Sequence, residues 1–206
     1  MTRQRVALGP PPAMLDGFPR WRLRRSQTLY RAHHRQHGPW WFSSSLQGRF
    51  DLPSPDGSCY LSLDELSAFR ERMGERLSAL GLLSAAGADS TVVSRLRVPR
   101  ELRLADTCHP SAVAFGLTHE IATVTPYALP QQWAAAFERA GMRGLRYESR
   151  FSTTAMANAV AVFGTDGASN WPTGQSRSGR AVAEDAGVRV LPRPRSRSLR
   201  VISPPG

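Results

Sequence analysis

The run "GSCYLSLDELSAFRERM", Gly57 to Met73, changes its period in the middle. Up to Leu63 it suits a strand, Ser58 to Leu63, with a turn at Pro55-Asp56-Gly57 before it. A helix follows at once: Leu63, Leu66, Phe69, Met73, Leu77 and Leu80 recur every three or four residues, and Ser62 and Glu65 have capping-box spacing. A strand that feeds straight into a helix points to a mixed architecture with one shared core.

The rest of the chain agrees. "SQTLYRA" (Ser26 to Ala32), "TVVSRLRV", "ELRLAD", "GLRYESR" and "ANAVAVFG" read as strands, and "HGPWWFSSSLQGRFD" reads as a loop with aromatic anchors. "ALPQQWAAAFERAG" reads as a second amphipathic helix, with Pro130 near its start and Gly141 after its end. The expected fold class is α+β, one strand-rich domain with two main helices. Residues 1–25 form a basic extension, with Val6–Pro19 loose or draped over the surface. Residues 26–168 form the folded domain. Residues 169–206, rich in Arg, Ser and Pro, form a tail whose composition does not bury a core and which is expected to be dispensable.

The formal charge of +11 invites a nucleic-acid reading until it is divided along the chain. Residues 1–36 carry eight arginines against one acid, and residues 170–206 seven against two. The stretch 37–169 has twelve arginines and thirteen acids. The basic excess sits at the ends, so nucleic acid is not the expected partner of the core. All 27 basic residues are arginine, a bias that a GC-rich coding sequence produces without functional meaning. No apolar run is long enough to span a membrane, and the N-terminus lacks the apolar centre of a secretory signal. Cys59 and Cys108 make neither a disulfide framework nor a zinc spacing. The expectation is a cytoplasmic protein.

Familiar catalytic motifs are missing: there is no G-x-S-x-G, no glycine-rich phosphate loop and no H-E-x-x-H. "HHRQH" groups His33, His34 and His37, but no acidic residue lies nearby to complete a metal site, and the segment reads as a solvated loop. Two polar residues stand out. Ser149 interrupts the apolar face of "GLRYESR" defined by Leu145, Tyr147 and Phe151. On this stretch alone, a buried serine bonded to a nearby carbonyl is the favoured reading over a site. Glu71 points away from the apolar seam of its helix, as either an ordinary surface glutamate or a residue facing a cleft would.

Taken together, "LYR" (29–31), "GRFD" (48–51), "CYLSLDELSAFRE" (59–71) and "GLRYESR" (144–150) resemble the RES domain, named for spaced Arg, Glu and Ser. The similarity continues through "LRLADT", "FGLTHEI", "QQWAAAFERAGMRG" and "AVAVFG", covering most of 29–164.

The resemblance implies a compact domain similar to ADP-ribosyltransferases, with Arg31, Glu71 and Ser149 as the name-giving residues. Members are known mostly as bacterial toxins, often encoded with an Xre-type antitoxin, that consume NAD⁺ by hydrolysis or phosphorolysis; some relatives transfer ADP-ribose to protein. NAD⁺ is then the substrate, with inorganic phosphate as co-substrate in phosphorolysis, and neither cofactor nor metal is required. Glu71 would stabilise the oxocarbenium-like ribose, Arg31 would clamp the pyrophosphate, and Ser149 would orient the ribose or the nucleophile. Arg49, Phe50 and Tyr60 are the expected substrate-binding residues, although Phe50 equally suits the core. Many relatives have Tyr or Trp where this chain has Phe50. A non-catalytic RES scaffold and a basic module binding nucleic acid or a partner protein are the competing classes.

Overall fold

The computed structural model describes residues 7–74, 81–151 and 159–193. Its centre is an eight-stranded sheet. In chain order the strands are β1 (Arg20–Leu23), β2 (Leu29–His34), β4 (Asp56–Ser62), β6 (Thr91–Leu96), β7 (Leu102–Asp106), β8 (Gly144–Tyr147), β9 (Ala159–Thr165) and β11 (Thr173–Ser178). Across the sheet the order is β1-β7-β8-β9-β4-β2-β6-β11. Every pairing is antiparallel except that of β7 with β8. Two small sheets flank it, β3 (Trp41–Phe42) with β10 (Gly167–Ala168) and β5 (Leu82–Ser84) with β12 (Arg189–Leu191). The helices are α1 (Glu65–Met73), α2 (Ala85–Ser90), α3 (Ala128–Arg139) and α4 (Gly179–Asp185). The fold is α+β.

The central strand β9 is buried on both faces, which is why "AVAVF" is an unbroken apolar run. Ala159, Ala161 and Phe163 pack with α3 through Trp133 and Phe137, and with Leu145, Tyr147 and Phe50. Val160 and Val162 face the opposite layer, with Leu23, Leu29, Trp40, Phe42, Cys59 and Leu61. A third cluster joins α1, β6 and α4 through Phe69, Met73, Val93 and Val182.

The helix beginning after β4 starts at Glu65, not at the Ser62 cap. Asp64 is the N-cap and its carboxylate accepts from Ser67 N at 2.7 Å. It ends at Gly74, whose φ of 55° suits glycine. Leu77 and Leu80 of the expected seam lie outside the described residues.

Two expectations about the ends are corrected. Leu8, Leu15 and Phe18 are buried in the α3 core, and β1 extends the sheet, so the N-terminal segment is part of the domain from Ala7 onward. The segment after Ala168 also packs. β11 completes the sheet beside β6, and α4 buries Val182 and Ala183. Residues 194–206 lie outside the described residues. "HHRQH" is not simply a solvated loop either. His33 and His34 belong to β2, and the buried His33 ring bonds Ser94 Oγ at 2.9 Å. Burial, with Arg31 and Arg72 near it, lowers the His33 pKa and favours the neutral ring.

Candidate active site

Between β2, β4, α1 and the 43–51 loop lies a cleft of about 340 Å³, near the lower end of the range for small-molecule sites. Arg31, Arg49, Tyr60, Glu71, Tyr147 and Arg150 are among its lining residues. The fold thus gathers residues from four separate stretches of sequence.

Glu71 reaches the cleft from α1, on the helix face opposite Phe69 and Met73. Behind it, Ser149 is buried, and its hydroxyl donates to Glu71 Oε1. Ser149 Oγ also accepts from Phe151 N at 3.1 Å. β8 ends at Tyr147, so Ser149 sits in the turn after the strand, where its oxygen can serve both partners. Ser149 itself does not line the cleft; it touches the residue that does. Burial raises the Glu71 pKa, opposed by the Ser149 bond and by the charges of Arg150 and Arg49.

Arg31 extends from β2. Its Nη1 donates to the carbonyls of Pro39 (2.6 Å) and Trp41 (3.0 Å) and contacts Cys59 Sγ at 3.2 Å. The guanidinium is thereby fixed at the cleft wall. Arg49 donates through Nη1 to Val124 O at 2.5 Å and lies over the Tyr127 ring, 4.5 Å from its centroid. Its Nη2 is buried with no hydrogen-bond partner among the described residues. A buried donor of that kind calls for an acceptor. Partial burial lowers the Arg49 pKa, offset by Tyr127, Tyr147 and Glu71, yet an arginine stays charged.

Tyr60 is held by Asp51, the last residue of "GRFD". Buried Asp51 accepts from Tyr60 OH (2.8 Å) at one oxygen, and from Ser43 Oγ (2.9 Å), Ser45 Oγ (3.0 Å) and Gly48 N (3.0 Å) at the other. Four donors satisfy a carboxylate that could not otherwise be buried. They fix the loop that carries Arg49. A Cβ at Gly48 would collide with the Asp51 carboxylate and the Tyr60 hydroxyl, which explains the glycine of that motif. Burial, reinforced by the Asp51 charge, holds the Tyr60 phenol well above the usual tyrosine range.

Phe50 is placed differently from the expectation. Its side chain is wholly buried in the core, edge-on to Tyr147 at 4.9 Å, and it does not line the cleft. Its backbone N–H donates to Tyr60 OH at 2.8 Å. Arg150 and Tyr147 line the cleft although the sequence reading gave them no role. Both lie in the "GLRYESR" stretch, so their proximity to Ser149 was the available signal. Among the described residues no three His, Cys, Asp or Glu side chains group as metal ligands would, and no helix is long and apolar enough to cross a membrane.

A family model for the RES domain matches residues 28–178. The chain belongs to the RES domain family. Among solved structures it is similar to one described as the crystal structure of the M. tuberculosis MbcT–MbcA toxin–antitoxin complex. The TM-score is 0.58 at 16% identity, covering 79% of this chain and 90% of that one. This is a likeness of fold. No curated protein matches the chain.

Proposed function

We propose that the protein is an NAD⁺-consuming enzyme that breaks the nicotinamide–ribose bond, acting as a toxin held in check by an antitoxin. The observation that carries the reading is the Ser149-anchored Glu71 carboxylate in a cleft otherwise rich in arginine. Family membership and the likeness to a toxin–antitoxin complex support it.

Cleavage transfers the C–N bonding pair to the pyridinium nitrogen and releases neutral nicotinamide. The ribose carbon left behind has oxocarbenium character. Glu71 stabilises that positive charge and bonds a ribose hydroxyl, while Ser149 keeps the carboxylate oriented. Arg31 and Arg49 bind the pyrophosphate, and the buried Nη2 of Arg49 gains an acceptor. Tyr60 and Tyr147 supply the wall against the nicotinamide ring. Water attacking the ribose gives ADP-ribose and a proton; inorganic phosphate gives ADP-ribose 1″-phosphate. No metal takes part, and NAD⁺ is spent as substrate.

Incubation with NAD⁺, with and without phosphate, tests the reading. Nicotinamide release in both buffers identifies a hydrolase, and release only with phosphate identifies a phosphorylase. Label from NAD⁺ appearing on protein identifies the alternative, an ADP-ribosyltransferase. An intact NAD⁺ pool in every arm sinks the enzyme reading. The antitoxin, expected to be of Xre type, should co-purify with the protein and suppress the turnover.

A further inference from the structure

A second space adjoins the cleft. It measures about 420 Å³ and is lined by Arg31, Ala32, His33, His34, His37, Gly38, Trp41 and Arg72. Arg31, Ala32 and Arg72 line both spaces, so the two are neighbours and arginine stands at their junction.

Trp41 defines the character of this groove. Of the five tryptophans, Trp40 and Trp133 are buried, Trp21 and Trp171 are half-buried, and Trp41 alone is exposed, at 47%. That exposure leaves a large aromatic face open beside a charged cleft. The residue is not loose. Its backbone pairs with Ala168 in the β3–β10 ladder, its carbonyl accepts from Arg31, and the neighbouring Phe42 is anchored in the core. The His37 ring lies 6.4 Å from the indole, and the His34 ring 5.7 Å from His37. A fixed aromatic face flanked by imidazoles, with guanidinium at one end, has the composition of a nucleotide platform: the base stacks on the ring and the phosphate meets the cation.

We infer that the groove of Trp41, His34 and His37 binds the adenosine half of the dinucleotide, with the pyrophosphate crossing the Arg31–Arg72 junction. The inference rests on the proposed NAD⁺ cleavage, which puts the nicotinamide half in the Glu71 cleft. It assigns Trp41 and His37 to substrate selection, apart from the bond-breaking residues. A nicotinamide mononucleotide, lacking the second base, forgoes the platform and becomes the poorer substrate.

The test titrates AMP, as the probe for this half, into the full-length protein by calorimetry, using wild type, Trp41→Ala and Trp41→Phe. Removing a stacked base's partner weakens binding by about tenfold or more. The expected result is AMP binding by wild type, weakened at least about tenfold in Trp41→Ala and largely kept in Trp41→Phe. The ratio of kcat/KM for NAD⁺ to that for nicotinamide mononucleotide should fall in Trp41→Ala. AMP binding that is absent from wild type, or equal in Trp41→Ala, overturns the inference. If NAD⁺ is consumed while AMP binding ignores Trp41, the groove assignment fails and the cleavage stands. If AMP binding depends on Trp41 but NAD⁺ is never cleaved, the nucleotide platform stands and the activity fails.

Discussion

The hydroxyl of Ser149 donates to Oε1 of Glu71 across 78 residues of chain, joining the turn after β8 to the cleft-facing side of α1. Ser149 therefore acts through Glu71. It is a positioning residue, and removing it should be felt at the carboxylate.

Ser149→Ala deletes a donor to a buried carboxylate and the acceptor of Phe151 N. The expected cost is about 1 kcal/mol in stability, with a clear loss of turnover. The Ser149 bond is one of the influences lowering the Glu71 pKa, so the acid limb of the pH–rate profile should move to higher pH in the variant. A lower melting temperature with an unmoved pH profile would make Ser149 an ordinary buried serine.

The raised pKa of Glu71 has opposite consequences for activity and stability. Activity needs the carboxylate and falls as pH drops through the raised value, sooner than an exposed glutamate would allow. The folded state holds this proton more tightly than the unfolded state does. Glu71 thus favours folding most below its unfolded pKa, and that contribution declines as pH rises through the folded value. At neutral pH the buried charge is a cost, so Glu71→Gln should melt no lower than wild type. Thermal melts across pH check this, and a large drop in the melting temperature of Glu71→Gln at neutral pH would contradict it.

Asp51→Asn replaces a carboxylate that accepts four hydrogen bonds with an amide that turns donors toward donors. The 43–51 loop should lose its fixed position, and Arg49 with it. Turnover at subsaturating NAD⁺ should fall at least tenfold. In that background Arg49→Ala should add little, because coupled residues are not additive. Fully additive losses would separate Asp51 from Arg49.

Truncation after Ala168 removes β11 from the edge of the main sheet and Val182 and Ala183 from the α1–β6 core. The shortened chain should lose its cooperative unfolding transition. A stable, active product would mean that these elements only rest on the domain.

The elements legible in the sequence are the apolar-rich runs that form β2, β4, β6, β7, β8 and β9 and the helical periods of α1 and α3. β11 was not legible, because "TGQSRS" is exposed at all six positions on an edge strand and shows no alternation. β1, "RWRL", buries only its leucine and fails for the same reason. Arg31, Arg49, Tyr60 and Glu71 were legible only as a set, through their order and spacing, and the cleft does gather them. Phe50 was misassigned because an apolar side chain beside a site residue has the same local pattern in a core as in a pocket. Asp51 was overlooked because its four partners depend on loop geometry that no spacing rule encodes.

The most direct measurement is nicotinamide release from NAD⁺ by purified wild-type protein and by folded Glu71→Gln, followed in phosphate buffer. Wild type should release nicotinamide, and the variant should be slower by ~10²–10³-fold, as expected for removing one charge-stabilising contact. Equal rates for the two proteins, or no release by wild type, would contradict the proposed function.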